Sequence, residues 1–382
     1  MKLIKNVQLV LTDRVISNGT IIFDNKIRKI NKIDAKNYDD EYEIIDGEGA
    51  YLTPGFIDIH IHGAGGHDTM EGNPEALEKI SKTIIKSGVS HFLPTTMTME
   101  KKYIKSALYN IVECMKNNQK GAEILGVNVE GPFINSEYKG AQAEANILKP
   151  DIKLIKDYLE YIKIITIAPE IKGSKEFIEE MTKNGIVSSV GHSGASYEDV
   201  RNACKWGLSH STHLFNAMTG LHHRKPGIVG AVLTDENMTC ELIADLIHVN
   251  PDVLKLVTMA KDPSKIILIT DSMEAGGLGD GEYSLGGQKV IVNNNAARLE
   301  NGALAGSILT LNKAVINMIN STNLPLVKII NMVTLNPASL LNLNHKMGII
   351  KEGYDANLSL FNNNFEVKKV FVQGEERYNL NN

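Results

Sequence analysis

Eight apolar runs of strand length recur through the middle of this chain, and they constrain its fold more than any other feature. They are Phe56–His62, His91–Thr96, Ile124–Glu130, Ile162–Ala168, Ile186–His192, Leu208–Leu214, Cys240–His248 and Ile266–Asp271. Short, nearly continuous apolar runs mark strands covered on both faces, as in a parallel sheet. Helical periodicity fills most of the gaps, for example over Pro74–Ser87, Lys102–Asn117, Ser174–Lys183 and Tyr197–Trp206. The pattern predicts an α/β fold, a (β/α)8 TIM-like barrel, which takes about 250 residues. A doubly wound open sheet competes, but it usually has fewer strands and a Gly-rich turn after the first. Here the first run ends in His60-Ile61-His62 instead.

The two chain ends are β-rich. Leu3–Leu11, Gly19–Phe23 and Ile27–Ile33 read as strands, with Asn18-Gly19 and Asp24-Asn25 where hairpin turns belong. Asn357–Phe361 and Lys368–Val372 read likewise after Gly353. Neither end has enough strands to stand alone. The expectation is therefore one small β-sandwich domain built from both termini, residues 1–53 plus 345–382, beside a barrel of residues 54–344. A chain of 382 residues is long enough for this arrangement.

Composition narrows the function. Forty Lys+Arg against 45 Asp+Glu give a net charge of −5 with no long run of either sign, which argues against non-specific nucleic-acid binding. Local capture of a phosphorylated small molecule needs only one Arg and a few N–H groups. No run of 18 apolar residues is present, and Lys5, Asn6 and Asp13 interrupt the apolar residues of the N-terminal stretch. A cytoplasmic protein without a membrane span is the expectation. Cys114, Cys204 and Cys240 lack metal-ligand spacing and read as small buried thiols.

Most of the strand runs end in polar residues that apolar burial does not explain. The first carries Asp58, His60 and His62; the third ends in Glu130; the fifth ends in His192; the sixth carries His210 and His213; the seventh ends in His248; the eighth ends in Asp271. In a barrel these ends converge on one face, where active sites are built. His60 and His62, two apart, project to one side of their strand. Imidazoles with one carboxylate make a ligand set that suits zinc or iron(II). Asp271 is the candidate to take a proton from an attacking water and deliver it to a leaving atom. Arg224, on the loop after the sixth run, is a cation for an anionic substrate group, and Asn216-Ala217 begins the same loop. His67, His91 and His345 read as structural or solvent-facing, His222 and His223 are undecided, and His210 starts its run and is left out.

Six motifs carry a family resemblance over nearly the whole chain. They are Pro54-Gly55-Phe56-Ile57-Asp58-Ile59-His60-Ile61-His62-Gly63, Glu130-Gly131-Pro132-Phe133, Val190-Gly191-His192-Ser193, Thr212-His213-Leu214-Phe215-Asn216-Ala217-Met218, Ala244-Asp245-Leu246-Ile247-His248-Val249 and Thr270-Asp271-Ser272. The chain resembles the amidohydrolase superfamily and, within it, the N-acetylglucosamine-6-phosphate deacetylases. The resemblance implies metal-dependent hydrolysis of the acetamide of a phosphorylated amino sugar. It implies that Glu130, His192 and His213 hold the main divalent metal, with a second at His60 and His62 bridged by Glu130. It also implies that His248 polarises the carbonyl while Asp271 serves as base and then acid. Asn216, Ala217, Arg224, Ala141 and Gly306 are implied as substrate contacts, and Arg224 acts across a homodimer interface in that family. This chain departs from many relatives in carrying Gln142 where they have His.

Overall fold

The structure is a computed structural model that describes residues 1–31, 42–117 and 119–381. Eight parallel strands form the barrel: Phe56–Ile61, Val89–Thr96, Val127–Glu130, Ile162–Ile167, Val187–Val190, Leu208–Ser211, Thr239–Ile243 and Ile266–Ile269. Each of the first seven pairs in parallel with the next. The eighth returns to the first through backbone bonds at one end: Asp271 N to His60 O at 2.9 Å and His62 N to Ser272 O at 2.8 Å. Beside this seam Thr270 Oγ1 donates to Asp58 Oδ2 at 2.6 Å. Burial pushes the Asp58 carboxyl up to about 7 against the hydrogen bond from Thr270.

Flanking helices follow the expected periodicity. Pro74–Ile84 starts with Pro at its first turn, capped by Asn73, and buries Ala76, Leu77, Ile80 and Ile84 against the barrel. Each such Leu or Ile contributes about 1.5–3 kcal/mol when fully buried. Tyr197–Trp206 forms as expected, opened by a Ser196–Asp199 capping box and closed at Gly207.

Three local expectations are corrected. The third run is broken: Glu123–Ile124 pairs with the second strand, and the barrel strand starts only at Val127. Gly126 makes the break with φ 152°, and a Cβ there would lie 2.6 Å from the Tyr161 carbonyl oxygen. No α-helix follows the third strand; residues 131–161 run through short 3-10 turns. Asn18-Gly19 does not turn the chain but sits inside strand Val15–Phe23, at an irregularity in its pairing with Lys2–Val10, with Asn18 at φ 52°.

The two chain ends share one sheet. Tyr51–Pro54, from the N-terminal part, pairs antiparallel with Leu358–Phe361, from the C-terminal part, with Leu52 opposite Leu360. Lys2–Val10, Val15–Phe23, Ile27–Ile30, Glu43–Asp46, Val367–Val372 and Glu375–Asn379 complete it. Lys32 and Ile33, the tail of an expected strand, lie outside the described residues. Ile4, Val7, Leu9, Phe23, Leu52, Leu358 and Phe371 form a second apolar core there, separate from that of the barrel. A three-stranded meander, Gly281–Leu285, Gln288–Asn293 and Ala296–Leu299, follows the eighth strand and was not anticipated. Cys240 is buried, Cys114 and Cys204 are half-buried, and all three are free thiols. Among the described residues no helix is long and apolar enough to cross a membrane.

Candidate active site

Glu130 ends its strand, whereas His192, His213 and Asp271 each stand two residues beyond theirs. All three have positive φ (49°, 26° and 49°), a region that non-glycine residues seldom adopt. Neighbouring groups hold these turns in place. Asn135 N donates to His192 O at 2.9 Å, Glu241 Oε2 accepts from His213 N at 2.9 Å, and His60 O accepts from Asp271 N at 2.9 Å.

One carboxylate organises the centre. Glu130 Oε1 lies 3.0 Å from His213 Nε2 and 3.1 Å from His192 Nε2, and those two nitrogens are 3.1 Å apart. Glu130 Oε2 faces His62 Nε2 at 3.4 Å, and His60 Nε2 lies 3.5 Å from Oε1. Asp271 Oδ1 is 3.3 Å from His62 Nε2 and 3.6 Å from His60 Nε2. Burial alone would raise Glu130, but the charge of His192 with hydrogen bonds from His192, His213 and His62 holds it well below the usual range. Burial would likewise raise Asp271, and His62 and His60 bring it down. Burial would lower His60, yet Glu241, Glu130 and Asp271 lift it to about 9.

Two sets of ligand atoms close enough to share a cation result: Glu130, His192 and His213, and His60, His62 and Glu130. The donors fit a divalent metal. His60 Nε2 is buried without a hydrogen-bond partner, and two imidazole nitrogens and a carboxylate oxygen point at one another. His192 Nδ1 is 3.0 Å from Tyr138 O, and His60 Nδ1 is 2.9 Å from Glu241 Oε2, which leaves each Nε2 aimed inward.

A cavity of about 240 Å³ opens onto this cluster. It brings together Glu130, His62, His192, His213, Asp271 and His248 with Ala141, Asn216, Ala217 and Gly306. Met97, Leu285 and Leu304 supply apolar wall, Leu285 from the meander. His248 lies in the loop beyond the seventh strand, which stops at Ile243, and not on the strand itself. Asp245 takes its Nδ1 at 2.6 Å and thereby orients the ring. Arg224 is exposed in the Leu221–Lys225 turn, 2.6 Å from His223 Nε2, and does not line the cavity of its own chain.

His67, close to Glu71, is half-buried, and His345, His222 and His223 are exposed; His91 is buried in the second strand, away from the cluster. Gln142 is buried, and its amide donates to Glu130 Oε2 at 2.5 Å while accepting from Thr98 N at 2.7 Å. Glu241 and His210 were not anticipated as part of this cluster. Glu241 is fully buried and meets His60 Nδ1, His210 Nε2 at 3.3 Å and His213 N. The one available signal was an acidic residue inside an otherwise apolar strand, Cys240-Glu241-Leu242-Ile243.

Parallel barrel, convergent imidazoles and a carboxylate at the strand ends define a metal-dependent hydrolase site, and a family model described as "Amidohydrolase family" matches residues 51–377. The chain belongs to the amidohydrolase family. It is 39% identical over 381 residues to an N-acetylglucosamine-6-phosphate deacetylase of Bacillus subtilis (strain 168), covering 97% of this chain and 96% of that protein. It is 35% identical to an N-acetylgalactosamine-6-phosphate deacetylase of Escherichia coli O157:H7, covering 87% and 89%. The crystal structure of N-acetylglucosamine-6-phosphate deacetylase from Pasteurella multocida superposes with a TM-score of 0.93 at 30% identity, covering 99% of this chain and 100% of the other.

Proposed function

We propose that this chain hydrolyses the acetamide of N-acetyl-D-glucosamine 6-phosphate, giving D-glucosamine 6-phosphate and acetate, in amino-sugar catabolism. The observation that carries the proposal is that one cavity holds the Glu130, His192 and His213 cluster, Asp271 and His248 together. The names of its relatives support the substrate.

A divalent cation, zinc or iron by the chemistry of the ligands, held by Glu130, His192 and His213, supplies Lewis acidity toward a carbonyl and acidifies water. Asp271 accepts the proton of the attacking water as the new C–O bond forms, then delivers it to the amide nitrogen as the C–N bond breaks. His248, whose Nδ1 donates to Asp245, turns Nε2 toward the carbonyl oxygen; with a hydrogen on both ring nitrogens it donates to that oxygen and stabilises the negative charge that develops there. Asn216, Ala217, Ala141 and Gly306 position the sugar. A second cation is assigned to His60 and His62 with Glu130 as the shared ligand.

Arg224 is assigned to the phosphate of a substrate held by a neighbouring copy, in a homodimer. Its exposure outside the cavity of its own chain supports this assignment. Residues 54–344 form the catalytic unit in this proposal, with 1–53 and 345–382 as its flanking domain. The reaction belongs in the cytoplasm, because a phosphorylated sugar does not cross a membrane unaided.

The test is acetate release from N-acetylglucosamine 6-phosphate beside unphosphorylated N-acetylglucosamine and N-acetylgalactosamine 6-phosphate, with metal-loaded and chelator-treated protein. Metal-dependent release from the phosphorylated gluco sugar is expected. Equal rates with and without the phosphate would overturn the substrate, and a preference for the galacto epimer would move it.

A further inference from the structure

We propose that Glu241 is a positioning residue that ties the two ligand groups of the site together from beneath, by fixing the ring of His60 and the backbone of His213 with one oxygen. The inference rests on the metal site proposed above.

Glu130 joins the two groups on the cavity side, and Glu241 joins them on the opposite side. Its carboxylate is fully buried in the barrel interior, where an ionised group persists only with a full set of donors. From the seventh strand it meets donors of the first strand and of the sixth strand with the turn that follows it. Oε2 accepts from His60 Nδ1 at 2.9 Å and from His213 N at 2.9 Å, while Oε1 meets His210 Nε2 at 3.3 Å. His210 Nδ1 in turn lies 2.6 Å from Thr239 Oγ1.

Two consequences follow from the chemistry of these atoms. A carboxylate only accepts, so in the neutral form that binds metal His60 keeps its hydrogen on Nδ1, which places the lone pair on the buried, unpartnered Nε2 that faces Glu130 and Asp271. The same oxygen anchors His213 at φ 26°, a backbone angle that needs an external hold. Glu241 therefore acts on a ligand of each group without touching substrate. Such partners behind a ligating histidine are typically worth about 10–100-fold in metal affinity.

Glutamine makes the discriminating variant. In Glu241→Gln the amide oxygen can take the place of Oε2 and accept from both His60 and His213. The NH2 group then faces His210 Nε2, which accepts once His210 donates from Nδ1 to Thr239. Glu241→Ala keeps none of this.

The experiment is metal binding by full-length protein, stripped with chelator and titrated with Co2+, read by calorimetry and by the visible absorption of the bound ion. Circular dichroism melts of the stripped proteins establish that each variant is folded. Glu241→Ala should bind Co2+ about 10–100-fold more weakly than the unaltered chain and with a changed absorption band. Glu241→Gln should recover most of that loss. Wild-type affinity and spectrum in Glu241→Ala would overturn the inference, as would Glu241→Gln behaving like Glu241→Ala. In both of those outcomes the unaltered protein still binds metal and the proposed function stands. An unaltered chain that binds no Co2+ would remove the metal site and this inference together.

Discussion

The backbone N–H of Asp271 donates to the carbonyl of His60 at 2.9 Å, so the proposed proton carrier is bonded directly to the backbone of a proposed metal ligand. That bond lies on the seam where the eighth strand meets the first. The precision of the site and the closure of the barrel are therefore one structural problem, and several measurements can test it.

Asp271→Asn keeps the size of the side chain and removes its ability to take a proton. Turnover should fall by about 10²–10⁴-fold, while metal content measured by mass spectrometry stays at the unaltered value. Full activity in this variant would remove Asp271 from the proton-transfer role.

Glu130 and His62 should separate in a metal analysis. Glu130 belongs to both ligand groups, so Glu130→Ala should lose bound metal from both. His62 belongs to one, so His62→Ala should keep the metal of the Glu130, His192 and His213 group. Equal metal loss in the two variants would mean that the groups do not bind independently.

His91 gives a pH signature remote from the catalytic cluster. Burial holds its imidazole down to about 3, helped by the charges of Lys346 and Arg377, despite Glu123 at 3.7 Å. Desolvation wins because Glu123 is too distant for a hydrogen bond. Below the ordinary value of 6.5 the unfolded chain takes up a proton that the folded chain refuses. This contribution is thus complete above 6.5 and is lost as pH falls toward about 3, at up to about 1.4 kcal/mol per pH unit. In urea unfolding of chelator-stripped protein, His91→Gln should flatten this slope. An unchanged difference between the two proteins from pH 7 to pH 4 would exclude it.

Gly88 tests the contact between barrel and terminal sheet. It has φ 87°, and a Cβ there would meet the Phe361 ring at 2.4 Å. Phe361 is fully buried and stacked on Phe56 with centroids 4.9 Å apart, which restricts how far its ring can move aside. Gly88→Ala should cost about 1–3 kcal/mol of unfolding free energy, with deacetylation preserved at temperatures where the variant is folded. A urea midpoint equal to that of the unaltered chain would show that the ring yields.

Much of this was legible in the chain because burial on both faces writes itself as apolar runs, and because a histidine at the end of such a run has no packing explanation. His60, His62, Glu130, His192, His213 and Asp271 stood out on that ground. Glu241 did not, since its partner His60 lies far away in sequence and an acidic residue within a strand also reads as an outward-facing one. Asn18-Gly19 misled because the same pair that favours a two-residue turn also tolerates the positive φ of an irregular strand. The missing helix after the third strand was hidden for a different reason: residues 131–161 contribute apolar residues to the barrel core from short 3-10 turns, at spacings that give no helical period to detect.

The position of the seam also bears on how the chain is made. Every proposed metal ligand, from His60 to His213, leaves the ribosome before Asp271 and before the strand that shuts the barrel. A growing chain can therefore display imidazoles and carboxylates, but it lacks the residue that would make captured metal productive. In the proposed mechanism the proton carrier takes its place only when the last strand docks beside the first. The order of synthesis thus keeps the proposed metal ligands and the proposed proton carrier apart until the barrel closes.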